Sequence, residues 1–271
     1  MLRDPRDPQR VHLTLHDLLK QRVLQIAAGY EDANDANTLR HDPICKLLRD
    51  RLPESGPPLA SQPTLSRFAN RVSRSELSRM APVLVEQFIA SDDQAPQRIV
   101  LDFDDTEAPA HGEQEQGRYD GYYGGYGFLP LHVYEGLSGR LITTIFKAKR
   151  FSGAQMLSVL RRLVKHLRQA WPDTLIIARG DSHFAYPEVM RWIEAQANLS
   201  YVTGLSSNAV LTKLAHEVVA QAKRAYARAG GKITRFHSTC YQAGTWSRSR
   251  RVVIQVEVSD HGVNTRFVVT D

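Results

Sequence analysis

Two stretches decide how this chain folds: Arg98-Ile-Val-Leu-Asp-Phe-Asp-Asp-Thr106 and Leu175-Ile-Ile-Ala-Arg-Gly-Asp-Ser-His-Phe184. Each is a short apolar run of strand character that ends in aspartate. Carboxylates at the tip of a buried strand lose hydration and repel one another unless a counter-charge sits among them. A divalent cation is the simplest counter-charge. Two strand-end aspartates brought together by a fold are the usual beginning of a metal-dependent phosphoryl-transfer site. The first stretch offers Asp102 and Asp104, which share one face of a strand, with Asp104 nearer its end. The second offers Asp181. The plainer alternative is a pair of solvated turns, one with Asp105 as a helix cap and one built on Gly180-Asp-Ser182.

The flanking sequence supplies a topology. Ile99–Asp104 reads as a first strand, and Leu129–Glu135 with Leu141–Lys147 as a hairpin turning at Gly136-Leu-Ser-Gly139. Ala154–Ala170 is an amphipathic helix with Leu157, Leu160, Leu163, Val164 and Leu167 on its apolar face. Thr174–Ala178 is a fourth strand, Tyr186–Ala197 a helix and Ser200–Gly204 a fifth strand. A right-handed crossover after the hairpin sets the fourth strand beside the first, which brings Asp102 and Asp104 toward Asp181. The expected fold is therefore α/β, with a mixed sheet built in the order strand, hairpin, helix, strand, helix, strand.

The regions on either side differ in character. Residues 1–95 read as mostly helical: 12–28 with Leu15, Leu18, Leu19, Val23 and Ile26 on one stripe, a short helix near Asp42–Arg51, one opened by Pro63 with Thr64 as its cap, and another over Ser75–Ile89. Asp92–Pro96 marks the boundary to a core over 96–205. Residues 206–271 read as a helix, Leu211–Arg228, followed by three β-like runs near Lys232–Tyr241, Arg251–Val258 and Asn264–Thr270. The chain stops directly after that last run, which reads as a truncation.

Bulk properties exclude several classes. With 42% hydrophobic and 24% charged residues in 271, the chain is a soluble globular protein with a core. Its net charge of +6 favours an anionic partner. Cys45 and Cys240 are too few for a disulfide framework or a zinc site, and a reducing cytoplasm is the expected compartment. No apolar run approaches the roughly 18 residues of a membrane span, and the polar N-terminus is no signal peptide.

Several local words go further. Gly29-Tyr-Glu-Asp-Ala-Asn-Asp35, Leu39-Arg-His-Asp-Pro43, Leu59-Ala-Ser-Gln-Pro-Thr-Leu-Ser-Arg67, Leu101-Asp-Phe-Asp-Asp-Thr106 with His111-Gly112, and Arg179-Gly-Asp-Ser-His-Phe184 occur in this order. Together they resemble the group-1 DDE transposases of bacterial insertion sequences, over nearly the whole chain. The resemblance implies a ribonuclease-H-like core that cuts and joins double-stranded DNA at element ends with two divalent ions, Mg²⁺ or Mn²⁺, in a synaptic homodimer. It implies Asp104 as the first acid, with Asp102 in support, and Asp181 as the second. The family's third acid is a glutamate on a helix beyond a β-rich insertion. Here the insertion corresponds to 206–271 and that helix is absent, and the family also usually carries further residues before the start of this chain, so both ends are expected to be missing. Consistent with this reading, Ala154–Ala170 contains no acid of the kind ribonuclease H itself takes from its first long helix.

Other residues invite weaker readings. His111 and His183 are auxiliary candidates for a proton or a phosphate. Arg248, Arg250 and Arg251 suit a hairpin tip that reaches DNA, whereas Arg161, Arg162, Lys165 and Arg168 are better read as a solvated helix face. Ser61–Arg67 resembles the turn of a helix-turn-helix, with Arg67 as a DNA contact. The glycine- and tyrosine-rich 117–127 segment is either a loop that stacks on bases or a locally packed connection. Two rival functions stand beside transposition: a catalytically inactive DNA-binding remnant, and a stand-alone nuclease using Glu188 as its third acid.

Overall fold

A capping box sets the first helix. Thr14 Oγ1 accepts from the Asp17 backbone N–H at 3.1 Å and the Asp17 carboxylate accepts from the Thr14 N–H at 2.9 Å, which starts α1 (Leu15–Ala27). The computed structural model describes residues 2–271, which divide into one unit up to Ala81 and a second over Pro82–Asp271. Besides α1, the first unit holds α2 (Ala36–Leu39), α3 (Pro43–Leu47), α4 (Gln62–Arg71) and α5 (Arg74–Met80). Its small core joins Leu18, Ala36, Ala60 and Leu65.

Two expectations fail in this unit, each for a local reason. The apolar stripe of α1 is only partly its buried face: Leu18 joins the core, but Leu19, Val23 and Ile26 are exposed, while Gln21 and Gln25 are buried. Gln21 is drawn inward because its amide exchanges two hydrogen bonds with Ala60, donating to the carbonyl at 3.0 Å and accepting from the N–H at 2.8 Å. Residues 62–67 are the first turns of α4 rather than a turn between helices. Ser61, not Thr64, stands at the cap position of that helix, with Pro63 in its first turn.

The second unit begins at α6 (Pro82–Ala90), so the helix expected over Ser75–Ile89 is broken at Pro82, where proline cannot continue the hydrogen-bond ladder. Val85 and Phe88 of α6 join the larger core, which moves the boundary from the expected 95/96 to 81/82. The strands are β1 (Arg98–Asp105), β2 (Ala108–Pro109), β3 (Arg118–Asp120), β4 (Gly125–Phe128), β5 (Leu131–Glu135), β6 (Leu141–Ile145), β7 (Leu175–Gly180), β8 (Leu199–Leu205), β9 (Ile233–Tyr241), β10 (Arg250–Ser259) and β11 (Gly262–Thr270). The helices are α7 (Gly153–Ala170), α8 (Pro187–Ile193) and α9 (Ala209–Ala229).

Eight of these strands form one mixed sheet in the order β6-β5-β1-β7-β8-β11-β10-β9. Its first five have the order of a ribonuclease-H-like sheet: β1 is antiparallel to β5 and parallel to β7, and β7 is parallel to β8. Residues 206–271 do not fold apart from this core. Strand β11 pairs antiparallel with β8 and carries the sheet on into β10 and β9. The remaining strands make a separate small sheet, β2-β4-β3.

Alternation sorts the sheet into two faces. Ile99, Leu101 and Phe103 join one continuous core with α6, α7, α8 and α9, and Val252, Ile254, Val256 and Val258 of β10 do the same. Val100, Asp102 and Asp104 point to the other face, where Tyr134 and Arg251 are exposed.

Candidate functional site

Three aspartates close β1, and their partners differ. Asp102 is held by Arg179 of β7 in a two-pronged pair, Nε to Oδ1 at 2.9 Å and Nη2 to Oδ2 at 2.5 Å. The two residues are register partners across a parallel ladder, so their side chains leave the sheet on the same face. The hydrogen bonds to Asp102 raise the Arg179 guanidinium above its ordinary value, against its own partial desolvation. Asp105 points to the helix face, where Lys147 Nζ lies 2.7 Å from its Oδ1; both side chains are largely buried, at 6% and 14% exposure for Lys147 and Asp105. The contact is poorly aligned for a hydrogen bond and acts as an ion pair. Desolvation pushes the Lys147 amine down, against the pull of Asp105.

Asp104 stands between these two pairs and belongs to neither. It is exposed on the open face, and among the described residues nothing hydrogen-bonds to its side chain or pairs with it. The β1–β7 ladder ends at Phe103 and Gly180, so the next residues on the two strands are Asp104 and Asp181. On the other side, Asp104 is the register partner of His132 in β5, whose Nδ1 lies 2.9 Å from Thr144 Oγ1. Side chains so paired stand roughly 5 Å apart at Cβ. The alternation of His132-Val-Tyr134 is what puts His132 on this face.

Asp181 is fixed by the backbone around it. Its carboxylate accepts from the His183 N–H at 2.8 Å and lies 2.9 Å from His183 Nδ1, capping the tight turn Ser182–Phe184. That turn is gripped on two sides by glycines. A Cβ at Gly180 would sit 2.7 Å from the Phe184 ring, which packs on Phe103 at 5.9 Å between centroids. A Cβ at Gly204 of β8 would sit 2.8 Å from Ser182 N and 3.1 Å from the Asp181 carbonyl carbon. The second contact is with backbone, so any larger residue at 204 displaces Asp181. A glycine inside a strand is the sequence signal for such a close approach.

The basic candidates separate by face. Arg250 lies on the helix face, buried against Glu194 with Nε to Oε1 at 2.6 Å and Nη2 to Oε2 at 3.1 Å, and over the Trp246 ring at 5.1 Å. This corrects its expected DNA contact: its guanidinium is committed inside the protein. Glu194 also accepts from the Tyr201 hydroxyl at 3.0 Å and pairs with the exposed Arg248 at 2.9 Å. Burial alone would raise the Glu194 carboxyl, but Arg250, Tyr201 and Arg248 together hold it below its ordinary value. Arg251, one residue on, is exposed on the open face and donates from Nε to Ser238 Oγ at 3.0 Å. One row of register partners, Asp102, Arg179, Val202, Thr270 and Arg251, crosses five strands on that face. Four strand spacings put Arg251 about 19 Å from β1. Arg266 of β11 shares the face through its partner Gln255.

Position and partners distinguish the other candidates. Asp102 is paired on both oxygens with the permanently charged Arg179, a cation already in place, whereas the Asp181 oxygens meet a backbone N–H and an imidazole. Glu188 faces the N-terminus of α7, where a Cβ on Gly153 would overlap its carboxylate; this is a helix-end carboxylate and not a partner of Asp104. His111 is exposed in the connection between β2 and β3, and Arg67 is exposed on α4 of the first unit. Of the α7 stripe, Arg168 is used internally, donating to the carbonyls of Pro172 at 2.9 Å and Asn198 at 2.6 Å.

Asp104 and Asp181 offer hard oxygen donors at adjacent strand ends, the donor type that Mg²⁺ and Mn²⁺ prefer. Their donor chemistry suits a divalent cation. Among the described residues no group of three or more His, Cys, Asp or Glu is gathered closely enough to hold a metal ion by itself.

Comparison with known proteins gives a family and a set of distant structural likenesses. The sequence matches the family model described as transposase DDE domain group 1 over residues 1–271. A comparison with curated proteins finds no match. The piggyBac transposase, in a synaptic complex with hairpin DNA, is similar with a TM-score of 0.46 and 13% identity over 98% of this chain and 55% of that one. The chain thus spans about half the length of that transposase chain. The Drosophila P element transposase in a strand transfer complex gives 0.30 and 14% over 74% of this chain and 48% of that one. The Mos1 strand transfer complex gives 0.25 and 12% over 84% and 67%.

Proposed function

Because the chain belongs to the transposase DDE domain group 1 family, we propose that it cleaves and joins DNA strands with divalent cations bound at Asp104 and Asp181. The observation that carries this reading is the isolation of Asp104. Of three aspartates at the end of β1, Arg179 neutralises Asp102 and Lys147 neutralises Asp105, which leaves Asp104 as the carboxylate without a partner. An unpaired strand-end carboxylate beside a second one is electrostatically costly and favours a cation.

Bound there, Mg²⁺ or Mn²⁺ would activate a water or a terminal hydroxyl and stabilise the leaving oxygen of a phosphodiester. The protein's own residues do the rest. Asp104 and Asp181 bind the metal. His183 orients Asp181, and the Asp102–Arg179 pair stiffens the strand ends behind both acids. Lys147 keeps Asp105 from competing for the cation. Arg251 and Arg266, on the same open face, contact the DNA phosphates, while Arg248 pairs with Glu194 on the helix side. Double-stranded element ends are the substrate, held by two copies of the protein, and the reaction takes place in the cytoplasm. Among the described residues no helix is long and apolar enough to cross a membrane.

Two carboxylates predict weak binding, which suits Mn²⁺ electron paramagnetic resonance. Asp104→Asn and Asp181→Asn should each lower the affinity by about tenfold or more, since even outer partners of a metal site change affinity by that factor. Glu188→Gln should not. Equal Mn²⁺ binding by Asp104→Asn and the parent chain would remove the reading.

A further inference from the structure

The small sheet β2-β4-β3 is an excursion from the catalytic strand, and the proposed function leaves it unused. It leaves β1 at Asp105 and returns at β5, where Leu131 is the register partner of Asp105. The Thr106 N–H donates to the Pro130 carbonyl at 3.0 Å, which closes the neck of the excursion. Tyr126 precedes Leu131 by five residues, so its Cα lies within roughly 18 Å of it, the fully extended limit. The sheet is thus tethered at the end of the strand that carries Asp104.

Its outer surface is aromatic. Tyr119 of β3 and Tyr126 of β4 are register partners, with ring centroids 5.5 Å apart, edge to face. They are 61% and 66% exposed, and Tyr122 in the connecting turn is 80% exposed. The turn is tight by construction: the Tyr122 N–H donates to Asp120 Oδ1 at 2.8 Å, the Gly124 N–H donates to the Asp120 carbonyl at 2.8 Å, and Gly124 has a φ of +72°. A Cβ at Gly121, Gly124 or Gly125 would meet nothing within 4 Å. Solvating three tyrosine rings on one short sheet forgoes the packing that aromatic side chains ordinarily gain.

We infer that Tyr119, Tyr126 and Tyr122 form a stacking platform for unpaired bases of the DNA strand that lies at Asp104. Every base has a π-face, so a tyrosine platform accepts single-stranded DNA without reading its sequence. The segment carries more acidic than basic side chains, so its grip on a DNA strand comes from the rings and not from charge. Glu107, Glu113, Glu115 and Asp120 outnumber Arg118 here, and a phosphate site would need the opposite balance. The platform holds bases that have left the duplex, while phosphates are held on the basic open face. This inference rests on the proposed function for its substrate and adds the form in which that substrate is gripped.

The test uses the full chain and a short single strand carrying the fluorescent base analogue aminopurine, with a duplex of equal length as control. Stacking on tyrosine should quench the analogue. Tyr119→Ala with Tyr126→Ala should weaken single-strand binding by about tenfold or more, abolish the quench, and leave duplex affinity as it was. Tyr119→Phe with Tyr126→Phe should retain both binding and quench, because the ring is kept. The tyrosine-dependent part of the affinity should change little with salt. Both tyrosines are exposed, and a melting curve equal to the parent's confirms that the variants fold. Asp104→Asn should bind the single strand normally, so loss of Mn²⁺ binding and loss of stacking fail separately. Single-strand affinity unchanged in the alanine pair, or single-strand and duplex affinity falling together, would overturn the inference. So would a change confined to self-association.

Discussion

The end of β1 and the start of β10 set the same problem and solve it in the same way. Each carries two adjacent residues of one charge, Asp104 with Asp105 and Arg250 with Arg251. In each, one member points into the helix-covered core and is paired there, Asp105 with Lys147 and Arg250 with Glu194. The other member points to the open face. The inward charge is structural and the outward one is free to meet a ligand of opposite sign, a cation at Asp104 and a phosphate at Arg251. Charge type and local motif do not separate these neighbours. Strand alternation does.

The largest effect expected from this comparison is on stability. Arg250→Met leaves Glu194 buried without its main partner, and Asp105→Ala leaves the Lys147 ammonium uncompensated. Breaking a buried pair from one side costs about 3–5 kcal/mol. The outward neighbours Arg251→Ala and Asp104→Ala should stay within about 0.5 kcal/mol of the parent. Urea unfolding of the four variants checks this, and equal losses within either couple would break the comparison. A double variant, Asp105→Leu with Lys147→Met, should recover much of the loss because no lone charge remains buried.

The next effect is on the geometry of the site. Gly204→Ala forces a Cβ into the backbone of Asp181 and Ser182. It should reduce Mn²⁺ binding nearly as far as Asp181→Asn does, although residue 204 carries no ligand. Unchanged metal binding in Gly204→Ala would show that the Asp181 turn does not depend on this close approach.

A pH effect follows from Glu194. Its folded carboxyl lies below the ordinary value of 4.5, so the stability it adds is fully present above about that pH. It is lost as pH falls through the lower folded value. Glu194→Gln should therefore flatten the acid limb of a stability-against-pH curve while lowering the plateau. The smallest effect is on DNA: Arg251→Ala should reduce the slope of log affinity against log salt by about one, and Arg250→Lys should leave that slope unchanged.

These distinctions explain what could be read from the sequence. The order of strands and helices in the core was legible because Ile99–Asp104, Ala154–Ala170 and Leu175–Gly180 each carry a clean period and clear ends. The strand-end aspartates stood out for the same reason. Which charges are already neutralised was not legible, because Lys147, Arg179 and Glu194 are distant in sequence and reach Asp105, Asp102 and Arg250 only through the folded sheet. Gln21 displaced the apolar stripe of α1 through two hydrogen bonds to Ala60, a residue in another segment. The small sheet carrying the tyrosines escaped notice because its strands are two to four residues long and rich in glycine, which gives periodicity nothing to act on.

Mn²⁺ titration of Asp102→Asn, Asp104→Asn and Asp105→Asn side by side tests the central claim most directly. Weakened binding in Asp104→Asn, with Asp102→Asn and Asp105→Asn close to the parent, is the predicted result. Full binding by Asp104→Asn, or a larger loss in either neighbour, would contradict it.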